Sequence, residues 1–486
     1  MGRRDPARGP ADGRLVTDLL VSGGVVITLD EGRRVIPDGA VAITGGRIAA
    51  VGPRAAVEAA HPAPAKRLDA RGKAVLPGLI DAHAHAGHAL VKTMGSGDSA
   101  AWSEACRIIY TTASPPEFWA AEARLAALER LMFGVTTGVS LLGGGDSVHR
   151  VDDPVFGEAR ARAVAEVGIR DMMAVGPTRP PFPRPYRGAA GGMVEVSFER
   201  QLETMGLLFE RLHGRGRQLL CTLMPVYRES RHDALKAAEI GAQGRAVRDL
   251  GARFGARFHQ DGHRSGSIAM ADDMFGLLGP DAFLSHCTEL TDEDIATLVR
   301  TGASVVHNPT AIAAVRGFCP VIRLLEAGVN VCVASDGAAP DRSTDMFRHM
   351  VQAMRYAQRA ARDERLLPPG KALEMVTRDA AEALGLQDEI GSLEVGKRAD
   401  LITVDMTAPH MAPANMPVWR VVCFASGADV RDVVVEGDVL MRDRAIPHLD
   451  AAGIVAEAEA RAAEMLHASG LAHLAVEDPG WGRVRL

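Results

Sequence analysis

Two textures of apolar and polar positions alternate along the chain. Residues 18–75 carry short apolar runs punctuated by glycine, DLLVSGGVVITLD, AVAITGGRIAAVG and KAVLPGLID, and the Gly45-Gly46 pair between two runs predicts a hairpin. The same texture returns in ADLITVD (399–405) and DVVVEGDVLMRDRAI (432–446). Between these flanks, short apolar runs alternate with amphipathic segments of helical period. The strand candidates are VLPGLIDAH, GVTTGVSLL (134–142), IRDMMAVGP (169–177), QLLCTLMPV (218–226), ARFHQ (256–260), AFLSHC (282–287), ASVVHNP (303–309) and VNVCVASDG (329–337). EFWAAEARLAALERLMF and TDEDIATLVRTG read as helices, the second with Thr291 and Asp294 placed for a capping box. Eight strand–helix repeats predict an α/β chain closed into a (β/α)8 TIM barrel. A doubly wound sheet fits less well, because no GxGxxG follows the first strand.

The two β-rich flanks predict a composite small β-sandwich built from both chain ends. The expected division is a disordered leader over 1–17, sandwich over 18–75 and again over 391–448, barrel over 76–390, and a C-terminal helix and tail over 449–486. That Ala-rich last helix is expected to pack on its own barrel, with an oligomer contact as the other use for it.

Composition narrows the partners. Lys+Arg 55 against Asp+Glu 61, a net charge of −6, gives no electrostatic reason to expect nucleic acid or an anionic membrane. There is no run of eighteen apolar residues to span a bilayer, and no apolar stretch in the leader to serve as a signal peptide. The six cysteines are scattered without a CxxC, which suits a reducing, cytoplasmic setting. The expected partner is a small-molecule substrate, with the protein itself a homo-oligomer.

Titratable residues stand at the C-terminal ends of the candidate strands, where a barrel puts its chemistry. His83 and His85 in DAHAH are two apart, so strand alternation aims both into the barrel mouth, and converging neutral imidazoles make a metal site. His88 falls after Gly87, beyond the strand, and reads as a loop residue or as one that supports a ligand from behind. His259, His286 and Asp336 end the fifth, sixth and eighth strands. His307 ends the seventh, where it could contact substrate or orient a ligand.

PGLIDAHAH, the later SHC, HNP (307–309), SDG (335–337) and the closing IGSLEVGKRADLITVD resemble the amidohydrolase superfamily, in its branch of triazine hydrolases and cytosine and guanine deaminases, near the phenylurea and thiocarbamate hydrolases. The resemblance runs from about residue 18 to 446. It implies one divalent metal ion per subunit, zinc above cobalt, manganese or iron, held by His83, His85, His259 and Asp336. It also implies that His286 faces the substrate and Asp336 takes the proton of a metal-activated water. Two-metal members carry a lysine on the fourth strand; QLLCTLMPV has none, and Lys236 lies further on, so a single metal is expected.

One departure bears on the reaction. Ring aminohydrolases of this branch place a glutamate three residues after the fifth-strand histidine, and here that position is Gly262 in His259-Gln260-Asp261-Gly262-His263. Asp261 shares the parity of His259, and His263 follows a turn signal and could swing over the mouth. In PTRPPFPRPYRGAAGG (177–192), Arg187 and Tyr186 are further candidates for substrate contact, while Asp341, Arg342 and Asp345 read as turn and cap residues. The lost glutamate favours hydrolysis of a C–N bond in a small amide, urea or carbamate. The alternatives are an aminohydrolase or dechlorinase of an N-heterocycle, with Asp261 or His263 replacing the glutamate, and a non-catalytic barrel serving in assembly.

Overall fold

A computed structural model describes residues 17–95, 97–144, 148–227, 234–311, 317–476 and 480–484; the expected leader, Thr17 apart, lies outside them. Eight parallel strands, β1 (Leu79–Asp81), β2 (Val135–Leu141), β3 (Arg170–Val175), β4 (Gln218–Pro225), β5 (Phe258–Asp261), β6 (Ala282–Ser285), β7 (Ser304–His307) and β8 (Val331–Val333), pair in chain order. They correspond one for one with the eight apolar runs. Nearly every strand residue is buried, as expected where helices cover the outside and side chains fill the inside of a parallel sheet. The chain is therefore a (β/α)8 barrel.

The two ends of that sheet, β8 and β1, meet through side chains rather than a continuous ladder. Asp81, the last residue of β1, accepts from Ser335 N (2.9 Å) and Ser335 Oγ (2.7 Å), and Asp336 N donates to His83 O (3.0 Å). From the helix Pro116–Met132, Arg130 Nη2 donates to Asp81 Oδ2 at 2.9 Å. This buried seam holds the loops after β1 and β8 side by side, which is where the HxH pair and Asp336 stand.

The flanks form one eight-stranded sheet. Leu401–Asp405 from the C-terminal part pairs antiparallel with Lys73–Pro77 from the N-terminal part, in a register running from Leu401 opposite Pro77 to Asp405 opposite Lys73. The Gly45-Gly46 hairpin forms, with Thr44 opposite Arg47. Leu19, Val41, Ile48, Val75, Leu401 and Val434 share its core.

Helix Asp292–Thr301 starts with the capping box read from Thr291 and Asp294. The helix Ala451–Ser469 packs on Pro116–Met132, burying Ile454, Ala458 and Met465 and pairing Glu457 with Arg124 Nη1 at 2.7 Å. The proline-rich segment after β3 is more ordered than its composition suggests, because Arg184–Arg187 pairs with Met193–Val196 as a two-stranded hairpin. Among the described residues, no helix is long and apolar enough to cross a membrane.

Candidate metal centre and active site

The barrel mouth gathers three histidines and two carboxylates. His83 and His85 follow β1, Asp261 is the last residue of β5, and His286 and Asp336 come directly after β6 and in the loop after β8. His286 and Asp336 take positive φ (66° and 62°), a conformation non-glycine residues adopt at a cost and which turns these side chains inward where the strands stop. His83 Nε2 lies 3.2 Å from Asp336 Oδ1 and 3.5 Å from Asp261 Oδ1, and His85 Nε2 lies 3.1 Å from Asp336 Oδ1 and 3.5 Å from Asp261 Oδ2. His286 Nε2 approaches Asp261 Oδ1 to 3.2 Å. All five are buried.

Hydrogen bonding from behind sets the tautomers. Phe283 O sits 2.6 Å from His259 Nδ1, so that nitrogen holds the proton and donates, leaving Nε2 to accept from His83 Nδ1 at 2.9 Å. His85 Nδ1 donates to Gly143 O at 3.2 Å. The Nε2 lone pairs of His83 and His85 are thereby turned toward two carboxylates, an arrangement that needs positive charge at its centre. The groups respond accordingly. Burial opposes charge on His85, yet the hydrogen bond to Asp336 and the charges of Asp261 and Asp336 outweigh it and raise its pKa. Asp261 and Asp336 are held well below the usual carboxylate range: burial works against this, and the facing imidazoles, with Arg342 beside Asp336, overcome it. His259 is pushed well down by burial and by His83, as suits a neutral ligand. Two sets of donor atoms, His83–His286–Asp336 and His83–His85–Asp261, each lie within 4.8 Å of one another. Bare imidazole nitrogens opposed to carboxylates are the donor chemistry of a divalent ion, so the residues fit one.

Residues 233–440 match the model of the amidohydrolase family, and residues 39–63 match an imidazolonepropionase-like composite domain of bacteria. The 5-methylthioadenosine/S-adenosylhomocysteine deaminase of Syntrophobacter fumaroxidans is 33% identical over 439 residues, covering 88% of this chain and 93% of that protein. The chain belongs to the amidohydrolase family. It is accordingly a hydrolase of carbon–nitrogen bonds other than peptide bonds, and the non-catalytic alternative falls away. A 5'-deoxyadenosine deaminase of Methanosarcina mazei is 29% identical, with 93% of this chain and 99% of that one covered. Among solved structures, a zinc-bound adenosine deaminase from Xanthomonas campestris superposes with TM-score 0.79 at 26% identity, covering 93% of this chain and 99% of that one. A zinc complex of the atrazine chlorohydrolase of Arthrobacter aurescens shares the fold, with TM-score 0.73 at 22% identity over 91% of this chain and 100% of that one.

The remaining candidates of this amidohydrolase separate on inspection. Asp261 joins the cluster, as its parity suggested, and Ser285 Oγ donates to it. His263, which could either swing over the mouth or shape the turn, is buried in the turn, where its Nδ1 pairs with Ser267 Oγ at 2.9 Å. Arg187 is committed elsewhere: Nε donates to Thr112 O and Nη1 to Gly191 O, both at 2.9 Å, and the side chain lines a cavity of about 430 Å³ beside the C-terminal helix. Tyr186 is 1% exposed, with the Arg150 guanidinium 5.4 Å from its ring centre. Arg187 thus stands at that cavity and Tyr186 in the core, both apart from the cluster of histidines and carboxylates. His307 is buried against His286 and His349; burial, then these two neighbours, pulls its pKa down to about 3.

Two contributors, Asn308 and Arg342, escaped the sequence reading, and a third, His88, takes the place behind a ligand that was one of its two readings. Asn308, inside the HNP motif, places Nδ2 3.4 Å from His286 Nδ1, so His286 is turned with its Nε2–H toward Asp261. The His88 ring lies 4.7 Å from that of His85, tilted by 32°. Arg342, read as a turn residue, faces Asp336 Oδ2 with Nη2 at 3.3 Å.

Proposed function

We propose that this amidohydrolase is an aminohydrolase that removes an amino group from a nitrogen heterocycle and releases ammonia. The observation carrying this reading is the carboxylate of Asp261, two residues after His259, bonded by Ser285 and 3.2 Å from His286 Nε2. The deaminase relatives support the same reading. Gly262 takes φ 89°, a conformation side chains rarely adopt, so a glutamate there would be strained and the acidic group stands one residue earlier.

The ion would be held by His83, His85 and Asp336, donors that suit zinc, with His259, whose Nε2 meets His83 Nδ1 at 2.9 Å in this structure, as the fourth ligand once that hydrogen bond is given up. When bound it supplies Lewis acidity, polarising water or a substrate acceptor. In this reading Asp336 accepts the proton of the attacking water at Oδ1, and His286 donates Nε2–H to the substrate as negative charge develops. Asp336 returns that proton to the departing amine, which leaves as ammonia as the C–N bond breaks, while Asp261 moves the water's second proton, from the hydroxyl now on the ring carbon, to the ring nitrogen, the work done elsewhere by the missing glutamate. The buried setting excludes bulk water from these transfers.

Zinc-loaded protein offered aminoheterocycles, chloroheterocycles, amides, ureas and carbamates is expected to release ammonia from the first group. Asp261→Asn should lower that rate about 10²- to 10⁴-fold while metal content holds. Gly262 favours a second reading, direct hydrolysis of a small amide, urea or carbamate, which needs one proton carrier fewer. Amine release from an acyclic substrate, undiminished in Asp261→Asn, would establish that reading and discard the first; chloride release would point to the dechlorinase variant.

A further inference from the structure

Arg342 is 9% exposed, and its hydrogen bonding is one-sided. Nη2 donates to Asp336 O at 3.2 Å and faces Asp336 Oδ2 at 3.3 Å, whereas Nε is buried with no partner among the described residues. His88 Nδ1 is buried and partnerless in the same way. The two belong to one corner of the mouth, since Arg342 acts electrostatically on His85, His88 and Cys106, and the His88 ring lies 5.3 Å from that of Trp102. Trp102 and Cys106 are one turn apart on helix Ser99–Thr112 and present a common face to this corner.

A counter-ion for Asp336 would need only Nη2. Burying a further guanidinium N–H without an acceptor is costly, and the cost is relieved when a ligand brings one. A cationic donor pairs most strongly with an anionic or carbonyl oxygen. We propose that Arg342 is a specificity-determining residue whose Nε receives an oxygen acceptor carried by the substrate ring, an oxo group or a carboxylate, with Trp102 offering the apolar wall beside it. The proposal rests on the reading of the protein as a heterocycle aminohydrolase, and it predicts a class of substrate: ring amines that also bear such an oxygen.

The test uses zinc-loaded full-length protein, Arg342→Met and Arg342→Lys, with matched ligands: cytosine and guanine for the oxo class, a 4-aminopyrimidine carboxylate for the anionic class, and 4-aminopyrimidine and 2-aminopurine without the oxygen. Calorimetric binding is read beside kcat/KM, so the test stands whether or not a given ligand is turned over. Wild-type protein is expected to bind at least one oxygen-bearing class about ten- to a hundredfold tighter than its oxygen-free match. That ratio should collapse in Arg342→Met and return in part in Arg342→Lys. Absence of a preference in the wild type, or an unchanged ratio in Arg342→Met, overturns the proposal, and loss of zinc alongside the unchanged ratio would mark Arg342 as a purely structural counter-ion. Failure of every aminoheterocycle to release ammonia, with the binding ratio intact, would instead remove the deaminase reading and leave the Arg342 subsite standing.

Discussion

At the scale of single residues, chemistry in this mouth depends on which nitrogen of each imidazole holds its proton. Asn308 is the sharpest case. Its amide donates to His286 Nδ1, so the proton on His286 sits at Nε2, toward Asp261 and the reacting centre. Asn308→Asp keeps the shape but converts a donor into an acceptor, which draws the proton to Nδ1 and leaves Nε2 bare. The expected outcome is a fall in kcat of about 10²-fold or more with KM little changed, a shifted pH–rate profile and an unfolding midpoint close to wild type. Equal losses in kcat and stability would show Asn308 to be a packing residue. His83, His85 and Asp261 were legible because strand parity aims alternate residues one way, and His286 and Asp336 because they end strands. Asn308 and Arg342 carried no such signal. An amide and an arginine in loops look alike whether they touch solvent, a carbonyl or a catalytic group.

At the scale of elements, the eight strands were readable because buried parallel strands are continuous apolar runs set off by amphipathic helices. Their closure was not. The seam between β8 and β1 rests on Asp81, Ser335 and Arg130, residues whose partners stand 49 and 254 positions apart. Arg130 is 3% exposed and bonds Asp81, Ser140 Oγ and Val139 O, contacts that nothing in its own helix announces. Gly138 makes room for it: a Cβ there would stand 2.6 Å from Arg130 Nη1. Arg130→Met leaves Asp81 a buried, underpaired carboxylate, and should cost about 3–5 kcal/mol of stability, read as a lower urea midpoint. Since the seam also aligns the loops bearing His83 and Asp336, zinc affinity should fall with it. A midpoint unmoved by Arg130→Met would mean that the β1–β8 backbone contacts suffice.

At the scale of the whole molecule, both chain ends share one sheet, and that sheet is tied to the barrel by charge. Arg170 at the start of β3 pairs with Asp400 and, at 2.7 Å, with Glu436, so barrel and flanking sheet meet through a buried cation. The pairing of the two flanks followed from their shared texture; the ion pairs joining them to the barrel did not, because they connect positions 230 and 266 residues apart. Acid should expose another property of the whole. Burial holds His213, His307 and His349 below the ordinary histidine range, His307 at about 3. An unfolded chain takes up these protons near pH 6.5 while the folded chain refuses them, so stability is flat above that pH and declines as pH falls. Each such group contributes a slope of at most about 1.4 kcal/mol per pH unit. Asp152 acts in the opposite sense, since burial raises it to about 6 and the folded state there prefers the proton between pH 3.8 and that value. Burial raises Glu122 and Asp379 as well, so three carboxylates offset part of the effect of the histidines. Urea midpoints of zinc-loaded protein should therefore hold from pH 8 to 6.5 and drop toward pH 5, and His307→Gln, which removes one refused proton, should lessen the drop relative to wild type. Parallel curves for the two proteins would show that His307 charges freely in the folded state and is not the neutral, buried group described above.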